Sequence, residues 1–214
     1  VIPSLAEEAV KKLSEYEYED FLVGVNVPPR IENKEDELRA KFNIKWGESI
    51  RNELSRETGR RIEAVTKKIV SYKKPDVLVV INPFTNRITL EIRPILVAGR
   101  YRKLVRGIPQ SRWPCRSCNG RGCPHCDWKG KMYPESVEEL IAAPLLEMTR
   151  GTETKFHAAG REDVDARVLG PGRPFIIEVK KPKKRTLGLR KLKKEIAGFA
   201  SGKVEVTDLR VSSK

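Results

Sequence analysis

Residues 156–179 read FHAAGREDVDARVLGPGRPFIIEV, and the folding of this stretch decides what kind of molecule the chain makes. Asp163, Asp165 and Arg167 alternate with Val164, Ala166 and Val168, a period of two that predicts a strand over 164–169 with its charges on one face. Gly170-Pro171-Gly172 supplies turn chemistry, and 174–179 is again apolar and β-branched, so a second strand follows. Carboxylates then stand beside arginines, and three uses compete for them. An ordinary salt-bridge network needs nothing more. A metal-dependent nuclease would set Asp165 on one strand against Glu178 and Lys180 on the next, the acids holding Mg²⁺ while the lysine polarises water. A single carboxylate held against an arginine could instead act as a nucleophile, with neither metal nor cofactor.

Immediately downstream lies the densest charge of the chain. Residues 180–194, KKPKKRTLGLRKLKK, hold nine bases and no acid. Leu187, Leu189 and Leu192 can anchor this segment on a core while Lys180, Lys181, Lys183, Lys184, Arg185, Arg190 and Lys191 face outward, a pattern suited to phosphate contact without sequence preference. A solvated helix face is the plainer reading of the same charges. The whole chain follows the same trend. Its 214 residues carry 43 Lys+Arg against 29 Asp+Glu, a formal charge of +14, and residues 151–214 alone carry +8. Such a balance favours polyanionic partners and argues against a neutral metabolic enzyme. No apolar run reaches a membrane-spanning length, and the N-terminal residues lack a secretory pattern, so a cytosolic setting is expected.

Upstream, the elements are mixed. Ser4 and Glu7 form a capping-box pattern before Leu5, Ala6, Ala9, Val10 and Leu13 at helical spacing. FLVGVNV puts Phe21, Val23, Val25 and Val27 on one face of a strand that Pro28-Pro29 ends. Trp46, Ile50 and Leu54 are spaced by four, so a helix is expected over 48–58 with Gly59 as its C-terminal cap. Runs 76–81 and 88–92, joined by a turn-rich connector, read as a hairpin. Ser136 and Glu139 open a helix that Pro144 should kink, a basic helix follows 180–194, and a last strand is expected over 204–211. The fold class is therefore α+β.

All four cysteines lie between 115 and 126, as Cys115-x-x-Cys118 and Cys123-x-x-Cys126. Two such knuckles can give one ion four thiolates, so a structural zinc is expected, with an iron–sulfur cluster or a redox pair as alternatives. A closed four-thiolate site leaves no position for a substrate. Trp113 and Trp128 bracket the cluster and should cover it, while His125 reads as a surface residue.

Gly160-Arg161-Glu162-Asp163 with Val164-Asp165-Ala166-Arg167, then Leu169-Gly170-x-Gly172-Arg173-Pro174-Phe175, resembles the catalytic motif of the archaeal and eukaryotic tRNA pseudouridine synthases that act at positions 54 and 55 of the TΨC loop. The tryptophan-led cysteine pattern from Trp113 to Cys126 is similar to archaeal members, and residues 1–107 resemble their THUMP-type RNA-binding region. The resemblance implies a THUMP-like domain over 1–107, a zinc-knuckle segment over 108–132, and the first part of a mixed-sheet catalytic domain over 133–214. It implies tRNA as partner, a monomer, no cofactor for catalysis, and Asp163 as the catalytic residue. In that family the uridine is flipped into a pocket, the aspartate assists cleavage of the glycosidic bond, and the base rejoins the ribose through C5. Arg161 would pair with Asp163 or fill the space left in the stack, and Arg167 and Arg173 would join the basic residues that hold RNA. Asp165 reads as structural. Family members carry a further half of the catalytic domain with an active-site tyrosine, so a piece of a longer protein is expected.

Overall fold

The computed structural model describes residues 1–212, which form two units divided between Arg93 and Pro94. In the first, α1 (Ile2–Leu13) buries Leu5, Ala6, Ala9 and Leu13, the face its spacing predicts. Its start differs from expectation. Ser4 is inside the helix and caps nothing, because Pro3, whose fixed φ suits the first turn, lets the helix begin at Ile2. Strand β1 (Asp20–Val25) buries Phe21, Val23 and Val25. The two prolines after it do end the strand, but Pro29 also opens α2 (Pro29–Lys41), a helix with no buried residue and hence no apolar period to announce it.

The third helix, α3 (Ile50–Thr66), outruns the expected 48–58. Ser49 caps it by accepting from the Asn52 amide, and Lys67, in the left-handed region, ends it. Gly59 is no cap. It lies buried within the helix, facing Val23 and Val70 of the sheet. Trp46 stands outside the helix, exposed to solvent. Strands β2 (Ile69–Val70), β3 (Val77–Asn82) and β4 (Arg87–Ile92) complete a sheet ordered β2-β1-β3-β4. The parallel register sets Phe21 by Val77, Val23 by Val79 and Val25 by Ile81, so buried residues meet buried residues. The 76–92 hairpin forms as expected, with the Asn82 side chain accepting from the amides of Phe84 and Thr85 to tie its turn.

The second unit is an antiparallel sheet ordered β6-β7-β5-β8, made of β5 (Ile95–Lys103), β6 (Glu153–Ala158), β7 (Val168–Lys180) and β8 (Val204–Ser212). Residues 94–107, grouped with the THUMP-like region on sequence, belong here, because β5 pairs with both β7 and β8. Two helices close the core over Val97, Tyr101, Phe175, Ile177 and Val179: α4 (Val137–Thr149) and α5 (Leu189–Ala200). Half of the expected capping box forms: the Ser136 hydroxyl accepts from the Glu139 amide and donates to the Glu139 carboxylate, and α4 continues through a buried Pro144. Leu192, Ile196 and Ala200 turn one face of α5 inward and leave its bases outward.

The strand–turn–strand reading of 164–179 is corrected. Asp163, Asp165 and Arg167 lie in a loop, and β7 is one strand that starts at Val168 and runs through the Gly-Pro-Gly segment. That segment bulges out of the ladder: Tyr101 pairs with Arg173 and Lys103 with Val168, so two steps on β5 match five on β7. Arg100 straps the bulge by donating to the carbonyls of Pro171 and Gly172. Gly172 has φ +73°, and a Cβ there would meet the Tyr101 carbonyl at 2.6 Å, which only glycine avoids.

Candidate active site

The loop between β6 and β7 is held from below by a lysine. Lys103 is fully buried at the end of β5, and its Nζ donates to the carbonyls of Ile108 (2.8 Å), Asp163 (3.0 Å) and Val164 (2.9 Å). Three carbonyls satisfy the three donors of the ammonium. Burial lowers its affinity for a proton, while the nearby charges of Glu162, Asp165 and Asp163 work in the other direction. A turn from Ala166 N to the Asp163 carbonyl (3.1 Å) and a bond from Gly107 N to the Val164 carbonyl (3.0 Å) complete the clamp.

Glu162 is the second anchor. Its buried carboxylate accepts from the Tyr101 hydroxyl (2.7 and 2.9 Å) and Gln110 Nε2 (2.9 Å), and forms an ion pair with Arg173 (2.9 Å). Burial, then the bond to the Glu162 carboxylate, pushes the Tyr101 phenol above its ordinary value. Gln110 also donates to the Gly160 carbonyl and Arg173 to that of Ala159, so the loop is fastened on both sides of its acidic residues.

Between these anchors the side chains of Arg161 and Asp163 face solvent. The backbone carbonyl of Asp163 is held by Lys103 while the residue is exposed. Among the described residues no ion pair joins Arg161 to Asp163. Arg161 lies instead over the ring of Trp113, its guanidinium carbon 5.2 Å from the centroid. Arg173, expected at RNA, is committed to Glu162, while Arg167 is exposed.

The nuclease constellation is taken apart by the register. Asp165 follows the carbonyls held by Lys103, whereas Glu178 pairs with Leu96 and Val179 with Ile95 at the other end of β5. Seven strand residues separate Lys103 from Leu96, roughly 23 Å at about 3.3 Å per residue. Lys180 is paired with Glu153. The basic residues 180–191 accordingly sit at the far end of the sheet from Asp163. Lys183 and Lys184 donate backbone N–H groups to the Thr149 carbonyl, and Lys181, Lys184, Arg190 and Lys191 are exposed.

The four cysteines converge. Their sulfurs all lie within 4.8 Å of one another, with Cys115–Cys123 at 4.0 Å, Cys118–Cys126 at 3.9 Å and Cys123–Cys126 at 3.7 Å. A tetrahedral ion with metal–sulfur bonds of about 2.3 Å would need edges of about 3.8 Å. Amides of Gly122 and Gly130 point at the sulfurs of Cys118 and Cys126, each at 3.2 Å. Burial acts to raise the Cys126 thiol, but N–H groups of Cys123 and Gly130 outweigh it and hold it below the ordinary thiol range. The donor set therefore fits one thiophilic ion. Trp128 does not cover the cluster, being 72% exposed, and His125 is on the surface.

Comparison with known families settles the ancestry. The family model described as "Pus10, C-terminal" matches residues 96–214, and "Pus10 THUMP domain, archaeal" matches 5–82. The chain belongs to the Pus10 family. Among curated Pus10 relatives, the protein named tRNA pseudouridine synthase Pus10 of Methanothermobacter marburgensis is 49% identical over 199 residues, covering 92% of this chain and 49% of the relative. Its namesakes in Methanococcus voltae and Methanocaldococcus jannaschii are 47% and 48% identical, covering 100% and 96% of this chain and 41% and 44% of theirs. The chain thus spans about half the length of the Pus10 relatives it matches. The Pus10 resemblance was carried by Asp163 and the cysteines, whereas Lys103, Tyr101 and Gln110 escaped sequence reading. One signal was present: Val97, Gly99, Tyr101 and Lys103 share a strand parity, which turns the lysine toward the core.

Proposed function

We propose that this chain carries the catalytic aspartate of a tRNA pseudouridine synthase that isomerises uridine in the TΨC loop, at position 54 or 55. The observation that carries this reading is the exposed Asp163 carboxylate on a loop clamped by the buried Lys103 and Glu162. The names of the archaeal relatives support the reaction. A uridine stacked inside the tRNA cannot reach such a carboxylate, so it must be flipped out. Asp163 then assists cleavage of the bond between N1 and C1′, the base turns while held, C5 joins C1′, the C5 proton leaves to solvent and N1 takes up a proton in its place. The composition of the nucleoside is unchanged, with one proton exchanged for another, and the isomerisation needs no oxidant. Exposed bases on α5 and the segment before it contact the tRNA backbone some 20 Å away, about the width of a duplex arm, and set position rather than sequence.

The four cysteines hold zinc in a structural role, since four thiolates close the coordination sphere. Tritium release from a tRNA transcript labelled at uridine C5 tests the activity directly. A protein of the relatives' full length that carries this chain is expected to release tritium, and its Asp163→Asn variant to release none while still binding tRNA. Equal release by both proteins would remove Asp163 from the mechanism, and a shortened RNA would replace isomerisation with cleavage.

A further inference from the structure

Arg161 is two residues from Asp163 and is exposed, yet it is not left to wander. Its guanidinium lies over Trp113, and no hydrogen bond or ion pair to a protein group engages it among the described residues. The indole is itself held, with Tyr133 against it edge-on at 5.4 Å and 80°. Trp113 belongs to a short two-stranded clamp. Met132 N donates to the Trp113 carbonyl (3.0 Å), Cys115 N donates to that of Gly130 (2.9 Å), and Pro114 bridges Lys131. The clamp leads into the cysteine cluster at Cys115 and is moored on α4 by Lys131 to Glu139 (2.7 Å) and by the Arg112 amide to Glu138 (3.2 Å).

From this geometry we infer that Trp113 is a positioning residue for Arg161, so that the four-cysteine segment forms one wall of the active site and metal binding is coupled to the placement of the acidic loop's arginine. The inference rests on the proposed isomerase reading for its catalytic consequence, though not for the coupling itself. The contact with the ring takes up none of the guanidinium N–H donors in a hydrogen bond, so they remain available to a phosphate of a displaced backbone. Without the indole, the arginine would search its rotamers and meet that phosphate only part of the time. Trp113, Pro114, Arg116, Met132 and Arg161 line an open recess of about 330 Å³, so the stacked pair is reachable by RNA.

Side-chain ¹⁵N NMR of the Arg161 Nε–H group in the full chain reads the coupling without any turnover. The resonance is expected upfield, under the Trp113 ring current, to stay shifted in Trp113→Phe, and to lose the shift in Trp113→Ala and after the metal is stripped by chelation. A resonance unmoved by both Trp113→Ala and chelation would overturn the inference. In the tritium assay, Trp113→Ala should lower the single-turnover rate roughly tenfold with tRNA affinity nearly unchanged, and Trp113→Phe should recover most of it. An equal loss of affinity and rate would mean that Trp113 serves binding or folding instead. If a protein of the relatives' full length that carries this chain releases no tritium, the isomerase reading fails, while the NMR result still decides the coupling.

Discussion

Tyr101 shows how one buried side chain shapes the pH response of the fold. Its hydroxyl donates to the Glu162 carboxylate, and its phenol is raised above the ordinary value of 10.0. A group raised on folding contributes stability that is fully present below its unfolded pKa and lost as pH rises above it, because the unfolded chain then ionises first. Tyr101→Phe should therefore lower Tm at pH 7, and the gap to the unaltered chain should narrow progressively as pH rises above 10. A gap that stays constant across thermal melts in that range would contradict this account. Lys103 makes a sharper case. Lys103→Met would fill a similar volume but leave three buried carbonyls without a donor, a loss of about 2–4 kcal/mol. Chemical denaturation gives the figure. Amide exchange should show the loop around Asp163 released even where the rest of the sheet survives.

At the scale of elements, the cysteine segment is the least self-sufficient part of the second unit. It contains one short 3-10 turn, Pro124–Cys126, and its core is sulfur rather than hydrocarbon. Two glycines let its strands close: a Cβ on Gly130 would lie 2.3 Å from the Gly120 carbonyl, and Gly130 has φ +69°. Gly130→Ala should thus weaken zinc binding by at least tenfold in a chelator competition, a loss of a size with other backbone-strain substitutions. Chelation of the unaltered chain should expose the amides of Cys115 and Met132 to exchange while β1 and β3 stay protected. Protection that persisted without metal would show that the Pro114–Lys131 bridge and its neighbours hold the segment unaided.

For the whole molecule, charge is the governing quantity. If RNA is the partner, as proposed, a net +14 makes its association strongly salt-dependent, with each counterion released from a phosphate adding to the slope of log K against log salt. Arg190→Ala combined with Lys191→Ala should reduce that slope by about 1.5–2 and weaken all tRNAs alike, without changing the chemical rate once tRNA is saturating. A filter-binding salt titration checks this. If the slope is unchanged, α5 does not face the RNA.

Much of this molecule follows from local rules that act within a few residues. Period-two burial placed Phe21, Val23 and Val25 on one face, Asn82 tied its turn, Ser136 and Glu139 started α4, and Leu192 with Ile196 turned α5 inward. Two paired cysteine knuckles sufficed to foresee their convergence. The failures share another cause. Residues 163–167 alternate as a strand would, yet they form a loop because Lys103, sixty residues away, captures the carbonyls that a ladder would need. Gly59 looks like a cap, but the helix runs past it to Thr66 and buries Gly59 and Ile62 against the sheet. Asp165, Glu178 and Lys180 are neighbours on paper, and sheet register separates them by the length of β5. Amphipathic period, caps and metal spacing are short-range physics, legible in the sequence alone. Which polar groups meet in the interior is decided only when distant strands pair, and that pairing is what turned Asp163 outward and placed Arg161 on Trp113.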